Sequence, residues 1–126
     1  MCNKGNLFCW SELKSWSDEG LISVESHGIW HLDYNDLDTQ TQKQDLSLSK
    51  EVIEANIGKP VLGFAFPFDA VNPQTYGILK SLGYQFAVGG FTRNDRSMLR
   101  WDDEPYNLPR VYPYSNPDLY PGLSSS

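Results

Sequence analysis

The chain has 126 residues, a length that allows one domain and excludes a second domain of ordinary size. Hydrophobic residues make up 40% of the chain and aromatic residues 13%, enough for a packed core. Ten Lys and Arg residues against sixteen Asp and Glu residues give a formal net charge of −6, which argues against a nucleic-acid partner, because binding to phosphates needs clustered positive charge. The chain has no apolar stretch of the roughly 18 residues that a membrane-spanning helix needs, and no signal peptide is visible. We expect a cytoplasmic protein from the chain as written, and an extracytoplasmic one if it is part of a longer protein.

The first half of the chain predicts a helix, a strand and a second helix. Residues 10–19 place apolar side chains at helical spacing and are followed by Gly20, a typical residue after a helix. Residues 21–26 predict a buried strand, and the acidic stretch 32–38 predicts a loop. Residues 40–57 predict an amphipathic helix with these residues on its apolar face: Leu46, Leu48, Val52, Ile53 and Ile57.

The next elements continue the alternation. Residues 61–66 and 84–88 predict two more strands, and residues 72–82 predict the helix between them, with Asn72 as its N-cap. Helices that alternate with apolar strands are typical of βα units around a mostly parallel sheet. The predicted fold class is therefore α/β, with three main helices and three to four mostly parallel strands in one domain, residues 1–126.

The last part of the chain differs in composition. Residues 105–126 contain five prolines among Tyr, Asn and Asp residues, which excludes a helix and predicts an extended arm with one short strand at 110–112. The two cysteines, Cys2 and Cys9, are either cross-linked to each other or free thiols.

Two histidines, His27 and His31, are the only ones in the chain and follow the first predicted strand. Ligands bind at the carboxyl ends of parallel strands, and imidazole is a common ligand of divalent metals. The spacing of four residues therefore makes His27 and His31 candidate metal ligands. The alternative is two surface histidines with local hydrogen bonds.

A second candidate feature is the sequence FAFPFD, residues 64–69, at the end of the next strand. Its residues Phe66, Pro67 and Phe68, together with Trp30, are candidates for a surface that stacks on sugar rings. Phe66 and Phe68 can equally be core residues that end a strand.

Several of these segments, taken in order, resemble the polysaccharide deacetylases, the NodB-homology domain of carbohydrate esterase family 4. SHGIWH is similar to the family's H-(S/T)-x-x-H motif. FCWSELKSWSDEGLISVESH before it, and IGKPVLGFAFPFDAVN, LKSLGYQFAVGGFTRND and YNLPRVYPY after it, resemble the family's following segments. The resemblance is nearest the branch that deacetylates poly-N-acetylglucosamine.

The resemblance implies a partial (β/α) barrel and metal-dependent hydrolysis of N-acetyl groups on a polysaccharide. It implies that His27 and His31 bind a divalent metal, zinc before others, and that Trp30, Phe66, Pro67 and Phe68 contact an N-acetylated carbohydrate.

The chain also departs from the family pattern. The family's first motif, which contains two aspartates that act as metal ligand and general base, is missing, and no histidine follows His31. Ala65 and Asp69 stand where some relatives have arginine and glycine. The resemblance therefore covers only the C-terminal part of such a domain. Asp69 is our candidate for a replacement ligand, with Asp33, Asp36 and Asp38 as further candidates.

Three explanations of the missing motif stay open: a piece of a longer protein, a short paralogue, or a homodimer in which two copies complete the sheet. Two functions follow. The first is a carbohydrate de-N-acetylase whose activity is weak or absent in this chain alone. The alternative is a non-catalytic remnant of the fold that binds glycans or proteins through its aromatic residues.

Overall fold

The computed structural model describes residues 7–89 and 101–110. In these ranges it contains three helices: α1 (Trp10–Asp18), α2 (Thr39–Ile57) and α3 (Thr75–Ser81). It also contains two strands and two single turns of 3-10 helix: β1 (Gly63–Ala65), β2 (Phe86–Val88), Tyr34–Asp36 and Pro67–Asp69. The alternation of helices and strands confirms the predicted α/β class.

The helix ends follow from local sequence. The Asp38 side chain accepts a hydrogen bond from the Thr41 N–H at 2.7 Å at the start of α2, and this bond lowers the pKa of Asp38. Gly58 ends α2 in the left-handed conformation, with φ 77°. Cys9 stands at the N-cap of α1 and is disulfide-bonded, and its partner lies outside the described residues.

The sheet is parallel. β1 pairs with β2, Gly63 opposite Phe86 and Ala65 opposite Val88. Single bridging residues extend it on both sides, since Ser26 pairs with Phe64 and Leu108 pairs with Val88, both in parallel. Four parallel segments therefore lie side by side, in the order Ser26, β1, β2, Leu108.

The predicted strands that lie within the described residues are all shorter than expected: β1 covers three residues of the predicted range 61–66, and β2 covers three of the predicted range 84–88. The predicted strand at 21–26 pairs only at Ser26, because the Glu25 carboxylate accepts the backbone N–H groups of Leu62 and Gly63 where a backbone ladder would lie. The strand predicted at 110–112 stays a prediction, because residues 111–112 lie outside the described residues; just before it, Leu108 forms a single parallel bridge with Val88.

The core lies between the sheet and helices α2 and α3. Its buried side chains are Tyr34, Leu46, Val61, Phe64, Phe66, Ile78, Leu79, Tyr84 and Ala87. The Phe64 ring lies edge-on to Phe66, with ring centroids 5.1 Å apart, and 5.4 Å from the Tyr34 ring. Edge-to-face pairs of this kind add to the free energy gained from burial alone.

The buried face of α2 is more polar than its apolar pattern predicted. Leu46 and Ile57 are buried, but Leu48 and Val52 are each 40% exposed. Gln42, Asp45 and Ser49 are buried in their place. They can be buried because each has a hydrogen-bond partner, for example the Thr75 hydroxyl, which donates to Gln42 at 2.8 Å.

In the part of the chain that the structure describes, no helix is long and apolar enough to cross a membrane.

Two leucines of α2 provide a test of this packing. We expect Leu46→Ala to lower the free energy of unfolding by about 2–5 kcal/mol, because it leaves a cavity in the core. Leu48→Ala on the same helix is the matched control and should cost less than about 1 kcal/mol. Urea unfolding followed by circular dichroism measures both, and equal losses would contradict the described packing.

Candidate metal centre

His27 and His31 lie together at the carboxyl end of the first parallel segment. Their ring centroids are 4.8 Å apart, and both residues are exposed. The His27 Nδ1 atom lies 2.8 Å from the Ala65 carbonyl oxygen at the end of β1. A carbonyl only accepts, so Nδ1 carries the proton and the lone pair of Nε2 is left for another partner. Metal-binding histidines are oriented by this kind of bond.

The loop between the histidines bends sharply and is attached to α2. Gly28 has φ 85° and His31 has φ 52°. The Asp45 Oδ1 atom accepts the N–H groups of Ile29 at 2.8 Å and Trp30 at 3.0 Å. A fully buried carboxylate on α2 thereby holds the loop backbone.

The turn after β1 lies against the same loop. The Phe68 ring centroid is 4.6 Å from that of His31. Phe68 and Asp69 have φ values of 58° and 54°, so that, with His31, the three non-glycine residues with positive φ in the described ranges all lie at these two strand ends. Strained backbone of this kind is typical of functional sites.

The predicted aromatic surface is divided between core and solvent. Phe68 is 65% exposed and Trp30 is 48% exposed. Phe66 is fully buried and Pro67 is also buried. Only Trp30 and Phe68 are therefore placed to contact a ligand, because Phe66 points into the core that its strand forms.

Three of the four candidate replacement carboxylates have other contacts, and the fourth, Asp36, is exposed on the first 3-10 turn. The Asp69 Oδ1 atom lies 3.3 Å from the Arg110 Nη1 atom. Asp33 caps the first 3-10 turn through the Asn35 N–H at 2.9 Å, and Asp38 caps α2. Among the described residues no three His, Cys, Asp or Glu side chains converge on one point.

The two histidines therefore meet some of the requirements of a metal site but not the required number of ligands. Two neighbouring imidazoles, one of them oriented by a backbone carbonyl, are suitable in type and separation for zinc. A protein zinc site has at least three protein ligands, and the described residues bring two together.

Two further residues at this site, Asp45 and Arg110, were not expected from the sequence. Asp45 precedes Leu46 and lies four residues before Ser49, so its place on the buried face of α2 was readable from the helical period. Arg110 had no such signal, because its pairing with Asp69 spans 41 residues of sequence.

Comparison with known proteins adds the family. The sequence model of the polysaccharide deacetylase family matches residues 3–87. The protein YxkH of Bacillus subtilis (strain 168), which its name places among the polysaccharide deacetylases, is 30% identical over 118 residues, covering 91% of this chain and 37% of YxkH.

Solved structures are similar over most of the chain. A polysaccharide deacetylase from Bacillus cereus has a TM-score of 0.68 at 29% identity, covering 86% of this chain and 33% of that one. A Streptococcus pyogenes deacetylase solved with acetate has a TM-score of 0.73 at 18% identity, covering 85% and 46%, and shows the shared fold.

The chain thus spans about a third of the length of YxkH and of the Bacillus cereus protein. Its fold is similar to that of the Bacillus cereus protein, and the family's sequence model covers well over half of its residues. This chain belongs to the polysaccharide deacetylase family.

Proposed function

We propose that this chain carries the histidine ligands of a metal-dependent site that removes N-acetyl groups from a carbohydrate polymer. The observation that carries the proposal is the exposed pair of imidazoles, 4.8 Å apart, at the carboxyl ends of the sheet. The Ala65 carbonyl supports it, because it leaves the Nε2 atom of His27 available as a ligand.

His27 and His31 would hold the metal, with zinc as the first candidate. When bound, such an ion polarises the acetamide carbonyl and lowers the pKa of water. The remaining ligand and the base that takes the proton would come from another polypeptide segment or a second copy of the chain. The chain alone is therefore expected to turn over weakly or not at all, because two ligands make an incomplete site.

The surface around the histidines suits a long substrate. Both histidines are exposed, and Trp30 and Phe68 offer exposed aromatic side chains beside them. An open surface admits the interior of a polymer, and aromatic faces provide apolar area against which a sugar ring can pack. We propose an N-acetylglucosamine polymer as the substrate class, on the resemblance of the sequence to that branch.

A second candidate function is glycan binding without metal. Phe68 favours it, because this side chain is 65% exposed although its backbone is strained at φ 58°. Backbone strain of this kind clusters at ligand-binding sites. A homodimer that completes the sheet stays a prediction.

The metal site is tested by zinc titration of the full chain. We expect His27→Ala and His31→Ala each to weaken zinc binding by at least about tenfold, since even a lost ligand-orienting partner costs about that much. Trp30→Ala, between the two histidines, is the matched control and should bind like the wild type.

Calorimetry measures the affinity, and acetate release from chitin oligomers is the second readout. Zinc-dependent release, however weak, should vanish in both histidine variants. Wild-type zinc affinity in either histidine variant, or release that survives in both, contradicts the proposal.

Asp69 distinguishes an ion pair from a metal ligand. We expect Asp69→Asn to lower the free energy of unfolding by about 1 kcal/mol or less, because it removes a partly exposed ion pair with Arg110. Zinc affinity should stay at the wild-type value, since the carboxylate is engaged elsewhere. Asp36→Asn, an exposed aspartate, is the control. Calorimetry that shows a tenfold loss only in Asp69→Asn would instead make Asp69 a ligand.

The aromatic surface is tested in metal-free buffer with chitin oligomers. We expect Phe68→Ala to weaken binding by about tenfold, because it removes the most exposed aromatic ring beside the histidines. Trp101→Ala, at a residue that is 98% exposed, is the control for loss of any surface aromatic. NMR titration measures both variants, and equal losses would reject a specific role for Phe68.

A further inference from the structure

The loop that carries the two histidines, residues 27–31, is attached to α2 through one side chain. Asp45 is fully buried and accepts the N–H groups of Ile29 and Trp30 with one oxygen, and the Tyr34 hydroxyl at 2.7 Å with the other. All three donors belong to the loop or to the turn that follows it. No partner on α2 itself competes for these oxygens in the described contacts.

We propose that Asp45 is the positioning residue of the histidine pair: its carboxylate fixes the loop so that both imidazoles face one point. The inference deepens the proposed function and rests on it for the identity of the bound metal. The contacts that hold the loop are made by the chain itself and need no metal.

The loop conformation needs an external partner. His31 has φ 52°, a region that a non-glycine residue adopts only at a cost in free energy. His27 is oriented by Ala65 and His31 packs on Phe68, but neither contact fixes the backbone between them. The two hydrogen bonds to Asp45 fall on Ile29 and Trp30, the residues in between.

In the hydrogen bond between Tyr34 and Asp45, the tyrosine hydroxyl is the donor. Burial and the neighbouring Asp45 carboxylate raise the pKa of Tyr34 well above its usual range, so the hydroxyl stays protonated. It therefore donates to the Asp45 Oδ2 atom. Three donors provide the hydrogen bonds that a buried carboxylate needs, so no cation is required. Those hydrogen bonds are lost if the loop moves.

Gly28 shows how closely the loop packs on the carboxylate. A Cβ atom at Gly28 would lie 2.5 Å from the Asp45 Oδ2 atom, closer than any real contact of this kind. The backbone at Gly28 is thus in direct contact with the carboxylate. A substitution at either Gly28 or Asp45 should therefore move the histidines.

Two variants of Asp45 separate positioning from stability. Asp45→Leu replaces the carboxylate by an apolar group of similar size and so removes both acceptor oxygens. Asp45→Asn keeps one acceptor for Ile29 and Trp30, and its amide can donate to the Tyr34 oxygen instead. We expect Asp45→Leu to fold but to weaken zinc binding by about tenfold or more, and Asp45→Asn to restore most of the affinity.

The readout is zinc alone, titrated into the full chain and followed by the imidazole NMR signals of its two histidines. In the wild type both histidines should shift with one dissociation constant. In Asp45→Leu they should shift independently and more weakly. Thr75→Val, which removes a buried hydrogen bond to α2 away from the loop, is the control and should lower stability without changing zinc binding. Wild-type zinc affinity in Asp45→Leu would overturn the proposal.

Metal-free spectra make the test independent of the proposed function. If the wild type binds no zinc, the metal site fails, and the positioning role is decided by the contact between the two imidazole rings and by slow exchange of the Ile29 and Trp30 amides. Both should be present in the wild type and Asp45→Asn and lost in Asp45→Leu. Their persistence in Asp45→Leu overturns the inference.

A second pair of variants applies if Asp45→Leu does not fold. Gly28→Ala forces a methyl group onto Asp45, whereas Gly20→Ala places one in open space at a similar φ of 77°. Both carry the same kind of backbone strain. Only Gly28→Ala should lose the contact between the imidazole rings, and equal behaviour of the two variants contradicts the proposal.

Discussion

The hydrogen bonds between the Asp45 carboxylate and the loop backbone are the constraint on which the candidate site depends. A carboxylate can be buried in a protein only when donors replace its water, and here the loop provides them. The loop, in turn, holds a histidine at φ 52°, and the helix accepts two of the loop's amides. Helix and loop therefore stabilise each other, and the position of the imidazoles follows from both.

The sheet supplies the second half of this arrangement. Parallel strands end on one side, so the loop after Ser26 and the turn after β1 meet there, and the Ala65 carbonyl can reach His27. The same edge collects the strained residues Phe68 and Asp69. The backbone strain is concentrated at the proposed site, while the core beneath it is made of ordinary aromatic and aliphatic contacts.

Much of this could be predicted from the sequence, and the exceptions have physical causes. All three helices were located from apolar spacing and from stop signals such as Gly58, which are local. The predicted start of α3 was wrong, because its N-cap is Gln74 and not Asn72. The face of α2 was misread at Leu48 and Val52, since buried polar residues with partners occupy the core side instead. Phe66 and Phe68 look alike in the sequence, yet one is in the core and the other in solvent. The turn at Pro67 separates them, and its left-handed residues leave no mark in a pattern of hydrophobicity. The proximity of His27 and His31 was expected, but the carboxylate behind them depends on a pairing that spacing alone does not encode.

The two contacts that hold the loop, Ile29 to Asp45 and His27 to Ala65, differ in how far apart their residues lie along the chain, and this affects folding. Ile29 and Asp45 are 16 residues apart, whereas His27 and Ala65 are 38 residues apart. The longer closure costs about 0.8 kcal/mol more in chain entropy, and it also waits for β1 to form. Helix α2, capped locally at both ends, can therefore bind the loop backbone through Asp45 before the strands of the sheet pair. We expect the order of assembly to run from helix to loop to sheet, so that the bond between His27 and Ala65 is among the last to form.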